Sequence, residues 1–345
     1  MTHLWVREEP RENEQRVGLT PSGAAELIAQ GFKVTVEDDP TRIIPIAEYK
    51  NAGADIAGPG TWQDAPVEAI IFGLKELTDD GSPLRHRHIM FGHAYKGQRD
   101  GPRLLERFKA GGGVLLDLEY LVDETGRRVA AFGYWAGYVG AALTLMNWGK
   151  AQSGGRLGPV DVYASPEALL AEVRAALRGK SPSVIVIGAL GRVGGGASDV
   201  ARALDLPLTP WDMAETARGA PFPEILDHDV FLNCILASPG VPIFVPSDAP
   251  DMPRKLSAIG DIACDPGSDY SPVPVYDSVT SWTSPIRRVS DAPILDVMAI
   301  DNLPSLLPRE ASEDFAEQLL PSLKTLASDD HGVWARATEV YRAHS

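Results

Sequence analysis

The chain has 345 residues, of which 44% are apolar and 23% charged, so wholesale disorder is excluded and about two domains are expected. Lys and Arg total 32 against 47 Asp and Glu, which gives a formal net charge of −15. This balance argues against binding to nucleic acid or an anionic membrane, because cationic surfaces supply the affinity in both cases.

The N-terminal residues 1–16 are charged throughout and lack the apolar core of a signal peptide. The longest apolar stretch, residues 134–148, is shorter than the ~20 residues that span a bilayer. The two cysteines, Cys234 and Cys264, are too few for a disulfide scaffold, so a reducing compartment is the simpler expectation. We therefore expect a soluble, cytoplasmic protein.

Short apolar strands alternate with helical stretches over the first third of the chain. Pro21 begins a predicted helix that ends before Gly31, and a Gly-rich turn at 111–113 ends another. The predicted strands are 4–7, 33–37, 69–73, 88–92 and 114–117, and the predicted helices are 21–30 and 104–110. Strands separated by helices indicate a parallel sheet covered on both faces.

A long apolar helix is predicted at 132–150, with small residues on closely spaced turns, and it could serve as a hinge between two lobes. A Gly-rich linker at 154–158 follows, and then a second series begins. Its predicted helices are 166–178 and 194–204, its predicted strands are 183–188, 208–212, 230–236 and 256–262, and two tail helices lie near 311–319 and 333–344. The second series is the more regularly patterned one.

The apolar run 183–188 leads directly into a turn with the spacing G-x-x-G-x-x-G, formed by Gly188, Gly191 and Gly194. Glycines allow a tight turn and close approach of a pyrophosphate, and a helix N-terminus supplies unpaired N–H groups. The next strand ends in Asp212, 24 positions after Gly188, where an acid that binds the ribose of NAD is expected. We predict that the cofactor is NAD. Arg192 leaves NADP as an alternative cofactor. The other alternative is a strand-to-helix turn that binds no ligand.

A cationic segment, residues 85–109, contains seven Lys or Arg and only two acids. Lys75 and Lys96 follow predicted strands, and strand ends of a parallel sheet face the ligand crevice. A Lys beside other cations can have its pKa lowered and act as a base. The alternative for the segment is a solvated basic face. His86 and His88 are expected at the surface, and no metal site is predicted, because no Cys or acid stands at ligand spacing.

The sequence resembles the NAD-dependent, lysine-forming saccharopine dehydrogenases, relatives of alanine dehydrogenase and of the transhydrogenase NAD-binding subunit. The resemblance covers nearly the whole chain. Its most specific blocks are GLKE (73–76), GHAYK (92–96), DLE (117–119), GRRVAAFG (126–133), IGALGR (187–192), WD with ET (211–216), FLNCI (231–235) and IDNLPSLLPREAS (300–312).

The resemblance implies an α/β protein of two Rossmann-like domains with a cleft between them. The N-terminal substrate and catalytic domain would be 1–133, joined by the tail 310–345, and the dinucleotide-binding domain would be 134–309. It makes Lys75 the general base and His93 the general acid/base. On the substrate side it implies Arg16, Lys96, Gln98, Glu119, Arg128, Phe132 and Asp261. On the NAD side it implies Arg127, Gly188, Gly191, Arg192, Asp212, Thr216, Leu236, Gly260, Ile300, Asp301, Asn302 and Leu303.

The implied reaction is NAD-dependent oxidative cleavage of saccharopine to L-lysine and 2-oxoglutarate by a monomeric enzyme. Val193 stands where some relatives have a cysteine able to pair with the one matching Cys234, so that disulfide cannot form. Leu236 and Ala263 also depart from the family pattern and leave open an alanine-dehydrogenase-like or opine-type enzyme with another amine or keto acid. A non-catalytic NAD-binding regulator is the alternative from another class, and the presence of both Lys75 and His93 speaks against it.

Overall fold

The structure is a computed structural model that describes residues 1–11, 13–236, 238–328 and 332–345. The chain forms two compact units. The first unit comprises Met1–Ala131 and Pro308–Ser345, and the second unit comprises Phe132–Leu307. In the described ranges no helix is long and apolar enough to cross a membrane.

The first unit begins as a regular alternation of strands and helices. Its elements are β1 (His3–Val6), α1 (Pro21–Ala29), β2 (Lys33–Glu37), α2 (Ile46–Asn51), β3 (Asp55–Ala57), β4 (Ile70–Phe72), β5 (Arg87–Met90), α3 (Gly101–Gly111) and β6 (Val114–Asp117). The strands form a parallel sheet in the order β3-β2-β1-β4-β5-β6. Thr20 accepts a hydrogen bond from Gly23 N, 3.2 Å away, and so caps α1 ahead of Pro21.

The second unit holds the long helix and the second sheet. Its elements are α4 (Gly133–Ala151), α5 (Pro166–Leu177), β7 (Val184–Ile187), α6 (Arg192–Ala203), β8 (Leu208–Trp211), α7 (Met213–Thr216), α8 (Pro223–Leu226), β9 (Val230–Asn233), β10 (Ala258–Asp261), β11 (Arg287–Asp291) and β12 (Ile294–Met298). The strand order is β11-β12-β10-β9-β7-β8. All pairings are parallel except that of β11 with β12, which the sequence patterns did not predict.

The predicted tight packing of the long helix is confirmed where α4 crosses α6. A Cβ at Gly137 would lie 1.8 Å from the carbonyl oxygen of Val193, and one at Gly196 would lie 2.0 Å from that of Tyr134. Only glycines permit this approach of two backbones. α4 is therefore buried along nearly its whole length beneath the second sheet.

The tail completes the first unit with α9 (Pro308–Leu323) and α10 (Val333–His344). Ser312 Oγ accepts a hydrogen bond of 2.9 Å from Val17 N, and Gln318 Oε1 accepts one of 3.2 Å from Ala131 N. The ring of Tyr341 packs edge-on against Phe108. The two helix-flanked, mainly parallel sheets confirm the predicted α/β class.

Candidate active site

The carboxyl ends of neighbouring strands bring the candidate catalytic residues of the first unit to one edge of its sheet. Lys75 follows β4, His93 follows β5 and Glu119 follows β6, and these three strands are adjacent. Parallel strands end at the same edge, so residues far apart in sequence meet there. This edge is the candidate catalytic site of the first unit.

The Lys75 amine is largely withdrawn from water, with 17% of its side chain exposed. Burial lowers the pKa of Lys75, and the nearby cations Arg16 and Arg11 lower it further, while Glu14 and Glu76 oppose them. Lys75 Nζ lies 4.0 Å from Glu14 Oε2. A lowered pKa increases the neutral fraction of the amine, which is the form that can accept a proton.

Arg16 is buried and forms a two-pronged pair with Glu14. Its Nε lies 2.7 Å from Glu14 Oε1 and its Nη2 lies 2.6 Å from Glu14 Oε2. Burial alone would raise the pKa of Glu14, but the hydrogen bonds and charge of Arg16 outweigh it and leave the pKa lowered. Glu14 thus takes the fork of Arg16, a residue that the resemblance implies on the substrate side.

His93 stands at the rim of a cavity of about 590 Å³ that Gln98 also lines. Its backbone has a φ of +47°, an unusual value for a residue other than glycine and one that is concentrated at functional sites. His93 Nε2 lies 3.6 Å from Glu76 Oε1, and Arg11 Nη2 lies 2.9 Å from Glu76 Oε2. Glu76, the residue after Lys75, therefore links His93 to Arg11 through its carboxylate.

Lys96 and Glu119 form an ion pair, with Nζ 2.6 Å from Oε1. That hydrogen bond raises the pKa of Lys96, which makes it a poor base beside Lys75. Gln98 Oε1 accepts a hydrogen bond of 2.8 Å from Lys96 N. Burial raises the pKa of Asp117, at the end of β6, to about 6 despite N–H donors from Glu119 and Gly92.

The cationic segment 85–109 is only partly gathered around the site. Arg85 and Arg87 lie at the amino end of β5, the opposite edge of the sheet. Arg107 is buried and is held by Asp80, 2.6 Å away, and by loop carbonyls. Arg103 pairs with Asp79 at 2.7 Å. Tertiary contacts therefore divide the segment, because Arg85 and Arg87 lie at the far edge whereas Arg99 and Arg107 line the cavity beside His93.

The expected surface positions of His86 and His88 are also wrong, since both are buried. His88 packs edge-on between Trp62 and Phe108, and within the described residues neither of its ring nitrogens has a hydrogen-bond partner. Burial, with Arg7 and other nearby cations, holds the pKa of His88 well below its ordinary value. Both side chains belong to the interior of the first unit.

Two further arginines expected near the ligands lie in a hairpin whose register pairs Val122 with Arg128. Arg127 is exposed, and its N–H donates to Asp123 Oδ1 at 3.0 Å. Asp123 also accepts from Thr125 N, so its carboxylate holds the turn. The hairpin presents the two arginines on consecutive residues of the first unit.

The Gly-rich turn of the second unit connects β7 to α6. Gly188 has a φ of +88°, and a Cβ at Gly194 would lie 2.1 Å from the carbonyl oxygen of Gly188. Gly191 is the N-cap of α6 and has no side chain to occupy the first N–H groups of that helix, which begins at Arg192. The turn is open, with Leu190 88% exposed. These features fit a bound pyrophosphate.

Asp212 follows β8 and caps α7 through a capping box with Glu215. Its Oδ2 accepts a hydrogen bond of 2.9 Å from Leu190 N, and its Oδ1 accepts one of 2.9 Å from Met213 N. Thr216 Oγ1 donates to the Asp212 carbonyl at 3.0 Å. Asp212 therefore holds the Gly-rich turn, and it keeps a carboxylate at the end of the strand next to β7.

Asp261 ends β10 and is buried in a hydrogen-bonded network. Its Oδ1 accepts from Asn233 Nδ2 and its Oδ2 accepts from Tyr276 Oη, each at 2.8 Å. Burial raises the pKa of Asp261 although both donors lower it. A Cβ on the neighbouring Gly260 would lie 2.4 Å from Thr144 Oγ1 on α4, so this glycine is required by packing.

The remaining predicted cofactor residues lie near the carboxyl ends of β9 and β12. Leu236 is 66% exposed after β9. Ile300 and Leu303 are buried in the core of the second unit, whereas Asp301 between them is exposed and Asn302 is half-buried. Phe132, which was predicted to contact substrate, is the N-cap residue of α4.

Sequence reasoning missed several polar residues that support these sites. Arg7, Glu9 and Glu14 surround the Lys75 loop, and Tyr276 holds Asp261. The only signal for the first three was a dense run of charges that begins at the last residue of a predicted strand. Burial of those charges, which makes them informative, cannot be seen in the sequence.

The family described as "Alanine dehydrogenase/PNT, N-terminal domain" matches residues 5–139. Saccharopine dehydrogenase [NAD(+), L-lysine-forming] of Neurospora crassa is 45% identical over 355 residues, covering 99% of this chain and 95% of the relative. The enzyme of the same name from Candida glabrata is 44% identical, covering 99% of this chain and 96% of the relative.

Among solved structures, an L-alanine dehydrogenase superposes with a TM-score of 0.68 at 19% identity. The match covers 99% of this chain and 93% of that structure. At this identity the likeness concerns the fold alone, whereas the two fungal relatives share the sequence along nearly its whole length.

Proposed function

We infer the function from the family, because this chain belongs to the NAD-dependent, L-lysine-forming saccharopine dehydrogenases. It is an NAD-dependent oxidoreductase acting on the CH–NH group of its donor, and the predicted resemblance is confirmed. Its reaction is the oxidative cleavage of saccharopine to L-lysine and 2-oxoglutarate. The identity of 40–45% to six such enzymes favours saccharopine over the other amines that the sequence left open.

We propose that Lys75 removes the proton from the secondary amine of the substrate. The observation that supports this role most directly is its buried amine, whose pKa is lowered by desolvation and by Arg16. Bound NAD would supply the hydride acceptor for the glutarate-derived carbon, whose bond to nitrogen would then become an imine. His93 then takes a proton from the water that adds to the imine carbon. As the adduct collapses, His93 gives its proton to the leaving nitrogen and takes the hydroxyl proton, so the carbon–nitrogen bond breaks and lysine and 2-oxoglutarate are released.

We propose that the open turn at Gly188 and Gly191 holds the pyrophosphate of NAD and that Asp212 accepts from the ribose hydroxyls. A fixed carboxylate at Asp212 would repel the 2′-phosphate of NADP, which supports NAD as the cofactor. The cavity beside His93 and Gln98 supports a substrate of several polar groups in the first unit. The same family membership leads us to propose a monomer in the cytoplasm, a setting compatible with the free thiols of Cys234 and Cys264.

The test follows NADH by its absorbance with saccharopine and NAD, comparing the wild type with Lys75→Met. We expect the variant to lose about 10²–10⁴-fold in kcat, the range of general base catalysis, while NAD affinity is kept. The wild-type kcat/KM should fall as pH falls through the pKa of Lys75, because the ammonium form cannot accept a proton. Since that pKa is lowered, the fall should begin below the ordinary pKa of lysine.

Lys109→Met is the matched control, because Lys109 is exposed in the last turn of α3. It should retain wild-type turnover. Near-normal turnover of Lys75→Met would remove Lys75 from the mechanism. In the reverse direction, NADH and 2-oxoglutarate are tested with a panel of amines, and a preference for an amine other than lysine would contradict saccharopine as the substrate.

A further inference from the structure

A buried ion pair next to the Lys75 loop has no part in the proton transfers described above. Arg7 directly follows β1, and its side chain is 1% exposed, while that of Glu9 is 7% exposed. Arg7 Nη1 lies 3.4 Å from Glu9 Oε2. Burial raises the pKa of Glu9, although Arg7 and two backbone N–H donors oppose this effect. Burying two charges costs hydration free energy unless their mutual attraction and hydrogen bonds offset the loss.

Both side chains form hydrogen bonds with the main chain at Lys75, and we call Arg7 and Glu9 together the clamp. Glu9 Oε1 accepts a hydrogen bond of 2.6 Å from Leu74 N, and Glu9 Oε2 accepts one of 2.9 Å from Lys75 N. Arg7 Nη2 donates to the carbonyl oxygen of Lys75, and Nη1 donates to that of Glu8 at 2.7 Å. The N–H and the C=O of the proposed base are thus both held by buried, charged partners.

The pairing of β1 with β4 brings the clamp next to the residues that precede Lys75. Val6 of β1 pairs with Phe72 of β4, and Arg7 N extends the ladder with a hydrogen bond of 2.9 Å to Phe72 O. The next residue on the β4 side is Gly73, where a Cβ would lie 2.4 Å from Arg7 Cζ. The guanidinium therefore occupies the space that a side chain at Gly73 would fill. A larger residue there would displace Arg7 from the loop.

We propose that Arg7 and Glu9 are positioning residues that fix the Lys75 main chain and thereby hold the Lys75 amine at its place beside Glu14 and Arg16. This inference rests on the proposed role of Lys75 as the base. A displacement of about 1 Å at a reacting group can cost about 10²-fold in rate. Neither residue is among the main causes of the lowered pKa of Lys75, so the clamp acts through position rather than charge.

The test is Glu9→Gln, made in the wild type and in the Lys75→Met variant. The amide keeps the size of the carboxylate, but its NH₂ group faces a backbone N–H, so one of the two hydrogen bonds is lost. In the wild type we expect kcat to fall by about 10²-fold with the KM for NAD unchanged. In the Lys75→Met background, measured in single turnovers, Glu9→Gln should cost less than about threefold, because a misplaced base is already absent.

Glu37→Gln is the matched control. Glu37 is a buried glutamate in the same unit that accepts hydrogen bonds from the backbone at Glu8 and Gly60, 2.9 and 3.2 Å away, and from Trp5. It should lower the unfolding midpoint about as much as Glu9→Gln while keeping kcat. If Glu9→Gln does not fold, Arg7→Lys replaces it in the same cycle, since a lysine cannot donate to both carbonyls in the geometry of the fork.

Equal losses of kcat from Glu9→Gln in both backgrounds would overturn the positioning role and leave a structural one. So would a fall in kcat for Glu37→Gln as large as that for Glu9→Gln. Near-normal turnover of Lys75→Met by itself would be a different failure, because it would remove the base on which the clamp is proposed to act.

Discussion

Individual charged side chains in this protein take their chemistry from the partners that tertiary contacts provide. Glu14 and Arg16 are two residues apart and form a buried pair, and Lys75 reaches Glu14 from a different strand. Desolvation lowers the pKa of Lys75, whereas the pair with Glu119 raises that of Lys96. Two lysines at neighbouring strand ends are therefore suited to opposite tasks, a base and a fixed cation.

Asp212 allows a prediction at the same scale about cofactor choice. Asp212→Asn keeps oxygen and side-chain size but removes the charge that we expect to contact the ribose and to repel a 2′-phosphate. We expect the KM for NAD to rise about tenfold, and the ratio of kcat/KM for NADP over NAD to rise. Initial rates of reduction of both dinucleotides measure this.

Asp212 also caps α7 and accepts from Leu190 N, so a structural loss has to be separated from a loss of binding. Glu215→Gln is the control, because it alters the same capping box while leaving the Asp212 carboxylate in place. An equal rise in the KM for NAD in Glu215→Gln would contradict direct contact between Asp212 and the ribose.

At the scale of elements, the crossing of α4 and α6 determines how the Gly-rich turn is supported. Gly137 and Gly196 allow backbone contact between the two helices, and Gly194 packs on Gly188 at the start of the turn. The glycines of this region therefore divide between packing and an open approach for a ligand. Their spacing in sequence suggested the turn, but only the crossing shows which of them are crowded.

We predict opposite effects of the same substitution at neighbouring positions of α6. Gly196→Ala would place a Cβ 2.0 Å from the carbonyl oxygen of Tyr134 and should lower the free energy of unfolding by about 1–3 kcal/mol. At Gly195 an added Cβ has open space among the described residues, and Gly195→Ala should raise it by about 0.5–1 kcal/mol. Urea unfolding of both variants provides the measurement. Equal stabilities would show that the helices separate without cost.

At the scale of the whole molecule, the two ends of the chain belong to the same unit. α9 and α10 pack on the sheet built from the first 117 residues, and Arg336 Nη2 donates to the carbonyl oxygen of Val122 at 2.9 Å. Phe315 of α9 lies buried against Phe91, which follows β5. The candidate catalytic edge of the first sheet is thus supported by residues more than 200 positions away.

A chain ending at Leu307 should therefore lose the order of the first unit while the second unit keeps its fold. We expect limited proteolysis with mass spectrometry to find cleavage throughout 1–131 and protection across 132–307. Turnover should be abolished, and NAD binding should remain. A chain shortened by Ser345 alone is the control and should resist cleavage. Protection of 1–131 in the long truncation would contradict an essential role for the tail.

The sequence by itself determined the features that depend on local order. The alternation of strands and helices, the turn at Gly188 with an acid at Asp212, and the family blocks around Lys75 and His93 are all read from neighbouring residues. Strand periodicity and glycine spacing are local properties, which is why β2 (Lys33–Glu37) and β6 (Val114–Asp117) match their predicted bounds. The antiparallel edge strand β11 was missed because its residues are only half-buried and lack that pattern.

Only the tertiary structure decided which charges are buried and what they bind. His88 is enclosed by aromatic rings, Arg107 holds a loop, and Arg7 with Glu9 clamps Lys75. The sequence around a charged residue does not show whether that residue is buried or what it binds, since partners such as Trp62 and Leu74 come from other strands and loops. Desolvation and hydrogen bonding depend on such distant neighbours, and they convert an ordinary lysine into a candidate base.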